Sequence, residues 1–260
     1  MKRRSLLLCA TAALGPLVRA EARALAVGVA PGPHAEIMDV VRRVAGQRGL
    51  ALRVELREGG RGINADVASG ALDIACFQDA VAFAAEMQHR RGLLVNAAPT
   101  ITQPFAIYSR RLASLRRLAD GDAIGIPRDS AAAARALILL HNHGLISLRD
   151  GAGLQATRHD VALNRRRLKL VELPPAQLAG ALDRLACTVI DSPHAAQAGL
   201  LPARDSIGME DARTPYTDIL AVRRADREQP WVTALVEAYH SEEVKRFILE
   251  RFQDSVRRPW

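Results

Sequence analysis

The histidines and a glycine-rich loop are the residues whose types and spacing could support catalysis or phosphate binding. His141, Asn142 and His143 are consecutive at the end of a predicted helix, whereas a nuclease signature distributes such residues over a ββ-metal fold. The loop at residues 58–62 lacks the GxGxxG and Walker contexts that bind phosphates. G-x-S-x-G, H-E-x-x-H and paired-cysteine zinc spacings do not occur. We therefore predict a protein that is not an enzyme and that holds no cofactor or metal.

The composition is that of a globular chain that does not bind nucleic acid. The 260 residues are 25% charged and carry a formal charge of +8, half of it in residues 1–24. Arginine supplies 33 of the 36 basic residues, which are scattered along the chain without a nucleic-acid-binding motif. No apolar run reaches the length of about 18 residues that a membrane span needs.

The first 24 residues have the pattern of an export signal. Lys2, Arg3 and Arg4 precede a short apolar segment, and Ala22-Arg23-Ala24 is a small-x-small cleavage site. The signal is either of the general or of the twin-arginine type. Cys9 follows Leu8 where a lipobox has a small residue, so we expect a cleaved signal and not a lipid anchor. In the periplasm, we expect Cys76 and Cys187 to be buried free thiols because both lie in apolar, strand-like runs.

Strand-like and helix-like segments alternate along the mature chain. The predicted strands are residues 25–30, 50–56, 72–77, 123–126, 168–173 and 187–190, and a further extended run covers residues 216–222. The predicted helices are one that carries Ile37, Val40, Val41 and Val44 and ends before Gly49, and others at 64–69, 131–142, 176–183, 231–239 and 242–252. For the helix at 131–142, the sequence predicts Asp129 or Ser130 as the N-cap and Gly144 at the end. Such alternation predicts parallel sheets with covering helices, whose ligands bind beyond the carboxyl ends of the strands. Extended crossings near Phe105–Ser109 and Asp211–Tyr216 predict two hinged lobes. We expect residues 25–106 and 214–260 to form lobe 1 and residues 107–213 to form lobe 2.

Six segments, spread in order over nearly all of residues 25–252, carry a recognisable pattern: Val27 to Ile37, Gly70 to Gln78, Ile107 to Ser109, Ile126 to Arg135, Leu139 to Leu145 and Pro215-Tyr216. In order and spacing, these segments resemble the methionine-binding lipoprotein family, the solute-binding components of methionine-type ABC importers. The resemblance implies a two-lobed α/β periplasmic binding protein that closes on a small amino acid. It also implies delivery to a membrane permease and ATPase, and we expect a monomer.

The resemblance places Arg135 where the family holds the carboxylate of its ligand. Arg135 also lies in the opening turns of a predicted helix, where unpaired N–H groups favour an anion, and a guanidinium can hold a carboxylate by two parallel bonds. We predict that Arg135→Ala abolishes binding with little effect on melting. Phe77 and Tyr108 could line the apolar part of the ligand or belong to the core. His34 could reach the cleft or cap the helix that begins there.

Three aspartates depart from the family pattern. Asp79 stands where family members usually have histidine, and Asp191 and Asp218 stand where they usually have asparagine. If all three face the cleft, a cation on the ligand would offset their repulsion, so the ligand would be more positively charged than methionine. If one or two of them cap helices or face solvent, a single carboxylate remains for the α-ammonium of a zwitterion.

Two further functions compete with import. The protein could present its ligand to a sensor instead of a transporter, or it could be a degenerate homologue without a tightly bound ligand. The sequence does not separate these alternatives.

Overall fold

The computed structural model describes residues 23–60, 62–89, 92–211 and 213–260. Nearly all of the predicted export signal, including Cys9, lies outside these residues. The described residues form strands at Leu25–Val29 (β1), Leu52–Leu56 (β2), Ile74–Cys76 (β3), Leu94–Thr102 (β4), Phe105–Tyr108 (β5), Ala123–Pro127 (β6), Ser147–Leu148 (β7), Val161–Leu163 (β8), Lys169–Leu173 (β9), Cys187–Asp191 (β10), Ser206–Met209 (β11) and Thr217–Arg223 (β12). They form α-helices at Pro33–Gln47 (α1), Ile63–Ser69 (α2), Ala80–His89 (α3), Ser130–Asn142 (α4), Pro175–Leu178 (α5), Ser192–Gln197 (α6), Pro202–Asp205 (α7), Pro230–Tyr239 (α8) and Glu242–Phe252 (α9).

Two five-stranded mixed sheets form the framework. The first has the order β2-β1-β3-β12-β4, in which β1, β2 and β3 are parallel and β12 is antiparallel to both of its neighbours. The second has the order β11-β5-β10-β6-β9, in which β10, β6 and β9 are parallel and β5 is antiparallel to β10 and β11. This arrangement confirms the predicted fold class of two mostly parallel α/β sheets flanked by helices.

The chain passes between the two sheets twice. It leaves the first sheet after Thr102 and enters the second at Phe105, and it returns between Met209 and Thr217. Both connections are short, and the residues of the second connection include Glu210 and Tyr216. The lobe boundaries expected at residues 106/107 and 213/214 remain a prediction.

Separate apolar cores lie on the faces of the sheets. The periodic apolar residues of α1 (Ile37, Val40, Val41 and Val44) pack with α8 and α9 against the first sheet. Residues of α2 and α3 cover its other face, and α4 packs against the second sheet. Cys76 and Cys187 are buried free thiols, as the sequence predicts, and burial raises the pKa of Cys187 to about 12.

Helix α4 has the ends that the sequence predicts. The side chain of Asp129 accepts a hydrogen bond from the backbone N–H of Ala132 and so satisfies one free donor of the first turn. Gly144 follows the helix with a φ of 70°, a conformation that glycine adopts without steric strain. Helix α4 is therefore fixed at both ends, and this fixes the position of Arg135 in its second turn.

Within the described part of the chain, no helix is long and apolar enough to span a membrane.

Candidate functional site

A cavity of about 680 Å³ lies between elements of the two sheets. On the side of the first sheet, the cavity is lined by Asp79 after β3, by the start of α3 and by Tyr216. On the side of the second sheet, it is lined by Phe105 and residues 128–135. Ligand sites in proteins typically have volumes of about 300–1,000 Å³. The cavity adjoins the carboxyl ends of parallel strands β3 and β6, where ligands of α/β sheets bind.

Arg135 is buried against the cavity wall and is 9% exposed. Its guanidinium lies between two aromatic rings, with Cζ at 4.2 Å from the ring centre of Phe105 and at 4.4 Å from that of Tyr216. Cation–π contacts of this kind stabilise a desolvated guanidinium. Arg135 is therefore not a solvated surface arginine.

Glu210 binds the same guanidinium on one edge. Arg135 donates from Nε to Oε1 of Glu210 at 2.7 Å and from Nη2 to Oε2 at 2.6 Å, a bidentate pair. Nη2 also donates to the backbone oxygen of Gln103 at 3.0 Å. Among the described residues, Nη1 makes no hydrogen bond, so its two N–H groups remain available to a ligand.

Asp79 follows β3 and begins helix α3. Its carboxylate accepts a hydrogen bond from the backbone N–H of Ala82 at 2.8 Å, and the side chain lines the cavity. Burial raises the pKa of Asp79, with the charge of Asp218 acting in the same direction and the Ala82 N–H opposing both. No cationic side chain of the described residues forms an ion pair with Asp79. Its carboxylate is therefore available to pair with the ammonium of a ligand.

His34 and Asp218 form a buried pair beside the cavity. Nε2 of His34 lies 3.3 Å from Oδ2 of Asp218, which also accepts a hydrogen bond from the side-chain amide of Gln103 at 3.1 Å. Although burial acts to lower it, the pKa of His34 is raised to about 10 by its hydrogen bonds with Asp218 and Cys76 and by their charges. The imidazolium therefore offsets Asp218 at neutral pH, and neither side chain is among those that line the cavity.

Asp191 contacts His194, three residues along the chain, and does not line the cavity. It is the last residue of β10 and caps α6 by accepting a hydrogen bond from the backbone N–H of His194 at 2.8 Å. Its Oδ2 lies 2.7 Å from Nδ1 of the same histidine. In the described structure, Asp191 is not among the residues that line the cavity.

The two aromatic residues singled out in the sequence, Phe77 and Tyr108, pack in the cores. Phe77 is partly buried, and a side chain at Gly60 would overlap its ring. Tyr108 is 1% exposed within the core of the second sheet, and burial raises its pKa. The aromatic side chains on the cavity wall are instead Phe105 and Tyr216.

Sequence reasoning missed Glu210 and Gln103. Both lie in the connections between the sheets and have no motif around them. One signal is present in the sequence: Glu210 immediately precedes the extended crossing that is predicted at Asp211–Tyr216.

The fold and the cavity define a class, the two-lobed α/β periplasmic binding proteins. A solved structure of a nutrient binding protein from Burkholderia cenocepacia, bound to methionine, has a TM-score of 0.79 and 37% identity, with coverage of 91% of this chain and 100% of that one. A periplasmic substrate-binding protein of an ABC transporter from Coxiella burnetii has a TM-score of 0.78 and 32% identity, with coverage of 90% and 99%.

The family follows from the sequence comparison. The model of the NlpA lipoprotein family matches residues 25–260, and the chain belongs to this family. The D-methionine-binding lipoprotein MetQ of Salmonella typhimurium is 34% identical over 238 residues, 90% of this chain and 88% of that protein. The family confirms a solute-binding protein and not an enzyme. Because relatives are named lipoproteins, the comparisons do not support the expectation against a lipid anchor.

Proposed function

We propose that the protein binds a zwitterionic amino acid with an apolar side chain, such as methionine, and delivers it to an ABC importer. One observation carries the proposal: Arg135 and Asp79 lie on the wall of the same cavity, and within the part of the chain that the structure describes, Nη1 of Arg135 makes no hydrogen bond and Asp79 makes no ion pair. Arg135 would hold the α-carboxylate and Asp79 the α-ammonium. Phe105, Tyr216 and Leu137 would contact the apolar side chain.

The local partners of the aspartates favour a zwitterion over a cationic amino acid. Asp218 is paired with His34, and Asp191 caps α6 beside His194, so neither offers an unpaired carboxylate to a second ammonium. Arg128 and Arg158 also line the cavity and would repel such a group.

The comparisons support the proposed cellular role. Relatives include a periplasmic substrate-binding protein of an ABC transporter and a MetQ lipoprotein, which supports our proposal of a periplasmic location with a permease and an ATPase as partners. Closure on the ligand would require contacts from both sheets, and Asp79 and Arg135 supply one from each.

Isothermal titration calorimetry of the unliganded protein tests the proposal. We expect one methionine to bind per chain, with arginine, lysine and ornithine unable to compete at equal concentration. Tighter binding of a cationic amino acid would support the alternative of an acidic pocket. The absence of binding to any amino acid would contradict the proposed function.

A further inference from the structure

Glu210 is held rigidly at both its backbone and its side chain. Its backbone N–H donates to the oxygen of Phe105 at 3.0 Å, and its Oε2 accepts from the backbone N–H of Phe105 at 2.9 Å. The same carboxylate binds Arg135 by two hydrogen bonds, and its side chain is only 8% exposed. A buried side chain with this many partners has one available position.

The position of Glu210 limits how Arg135 can receive an anion. A guanidinium has five N–H donors in a fixed plane. Glu210 and the oxygen of Gln103 occupy Nε and Nη2, so a ligand carboxylate meets Nη1 alone. The negative charge of Glu210 also offsets the positive charge that would otherwise attract any carboxylate.

We propose that Glu210 is a specificity-determining residue, which fixes the Arg135 guanidinium and weakens its attraction for anions enough that a ligand needs an ammonium as well as a carboxylate. This inference rests on the proposed function. Binding of a simple carboxylate would then be disfavoured, because Asp79 repels it and Arg135 alone attracts it too weakly. A zwitterion pairs its carboxylate with Arg135 and its ammonium with Asp79.

Calorimetry with methionine and its des-amino analogue, 4-(methylsulfanyl)butanoate, measures this preference. The ratio of the two dissociation constants is compared between the wild type and Glu210→Gln, which keeps the side-chain size and removes the charge. We expect Glu210→Gln to shift the ratio about tenfold or more towards the des-amino acid. Because both dissociation constants are measured on the same variant, a loss of affinity common to the two ligands leaves their ratio unchanged.

Two variants serve as controls. Glu210→Asp keeps the charge and should keep the preference for methionine. Glu172→Gln removes a carboxylate that lines the cavity and pairs with Arg158 at 3.6 Å, and it should leave the ratio near that of the wild type. An equal shift in Glu172→Gln would show a general effect of charge and would overturn the proposal.

The remaining outcomes separate this inference from the proposed function. Methionine binding by the wild type with an unchanged ratio in Glu210→Gln overturns the role of Glu210 alone. If Glu210→Gln does not fold, similar affinities of the wild type for the two ligands would still contradict the inference. A wild type that binds no amino acid overturns the proposed function itself.

Discussion

At the scale of single residues, Arg135 has a structural partner as well as a proposed ligand. The sequence predicts that Arg135→Ala abolishes binding with little effect on melting, but the structure changes the second expectation. Removal of the guanidinium leaves Glu210 as an unpaired buried carboxylate, a change that costs about 3 kcal/mol. We therefore expect Arg135→Ala to lose binding and to melt several degrees below the wild type in calorimetric scans.

The double variant Arg135→Ala/Glu210→Ala is the matched control. It removes both charges, so it should regain much of the lost stability but none of the ligand affinity. An unliganded Arg135→Ala protein that melts like the wild type would show that the ion pair contributes nothing in solution.

Asp79→Asn should separate binding from stability. Asparagine retains the helix cap, but it cannot pair with an ammonium, so methionine affinity should fall by about tenfold or more. Burial raises the pKa of Asp79 in the folded protein, so its ionised form destabilises the fold at neutral pH. Asp79→Asn should therefore raise the unliganded melting temperature at neutral pH, and this gain should vanish in acid, where the aspartate is protonated in both states.

Asp191→Asn is the control for Asp79→Asn, since Asp191 is also an N-cap aspartate but lies away from the cavity wall. We expect its methionine affinity to equal that of the wild type. Equal losses of affinity in the two variants would contradict the assignment of the ammonium to Asp79.

At the scale of elements, the His34–Asp218 pair joins the start of α1 to β12. The pKa of His34 is about 10 in the folded protein and ordinarily 6.5. The charged pair therefore contributes its full stabilisation below pH 6.5, and this contribution is lost as the pH rises through 10. His34→Gln can still donate to Asp218 but does not titrate. The difference in melting temperature between the wild type and His34→Gln should shrink across this interval, and a constant difference would contradict a charged His34.

The elements with strong periodicity or clear ends could be predicted from the sequence. Helices α1, α4, α8 and α9 and strands β1, β6, β10 and β12 form within a few residues of their predicted positions. The sequence does not predict helix α3. Its buried large side chains are Phe83 and Met87, half of its other residues are alanines, and its apolar pattern is therefore weak. The predicted helix at 176–183 divides into α5 and a 3₁₀ turn at Gly180–Asp183.

The site was less predictable than the fold. Arg135 and Asp79 lie on the cavity wall and were identified through helix position and family resemblance. The partners of Asp218 and Asp191 could not be predicted, because hydrogen bonds such as Gln103 to Asp218 join residues far apart in sequence. Glu210 acts through Arg135, and nothing local in the chain marks such a pairing.

At the scale of the whole molecule, the two sheets and their two connections make the site possible. Arg135 contacts Gln103 in the first connection, and it contacts Glu210 and Tyr216 in the second. The proposed carboxylate-binding group is thus attached to both segments that must bend if the sheets move relative to each other. Ligand binding at Arg135 and closure would be coupled for this reason.

The most direct test of the proposed function is mass spectrometry of the solute that remains bound to the purified protein. The account predicts a zwitterionic amino acid with an apolar side chain, such as methionine, bound to the wild type and missing from Arg135→Ala. A cationic amino acid, or a solute without both an ammonium and a carboxylate, would contradict it.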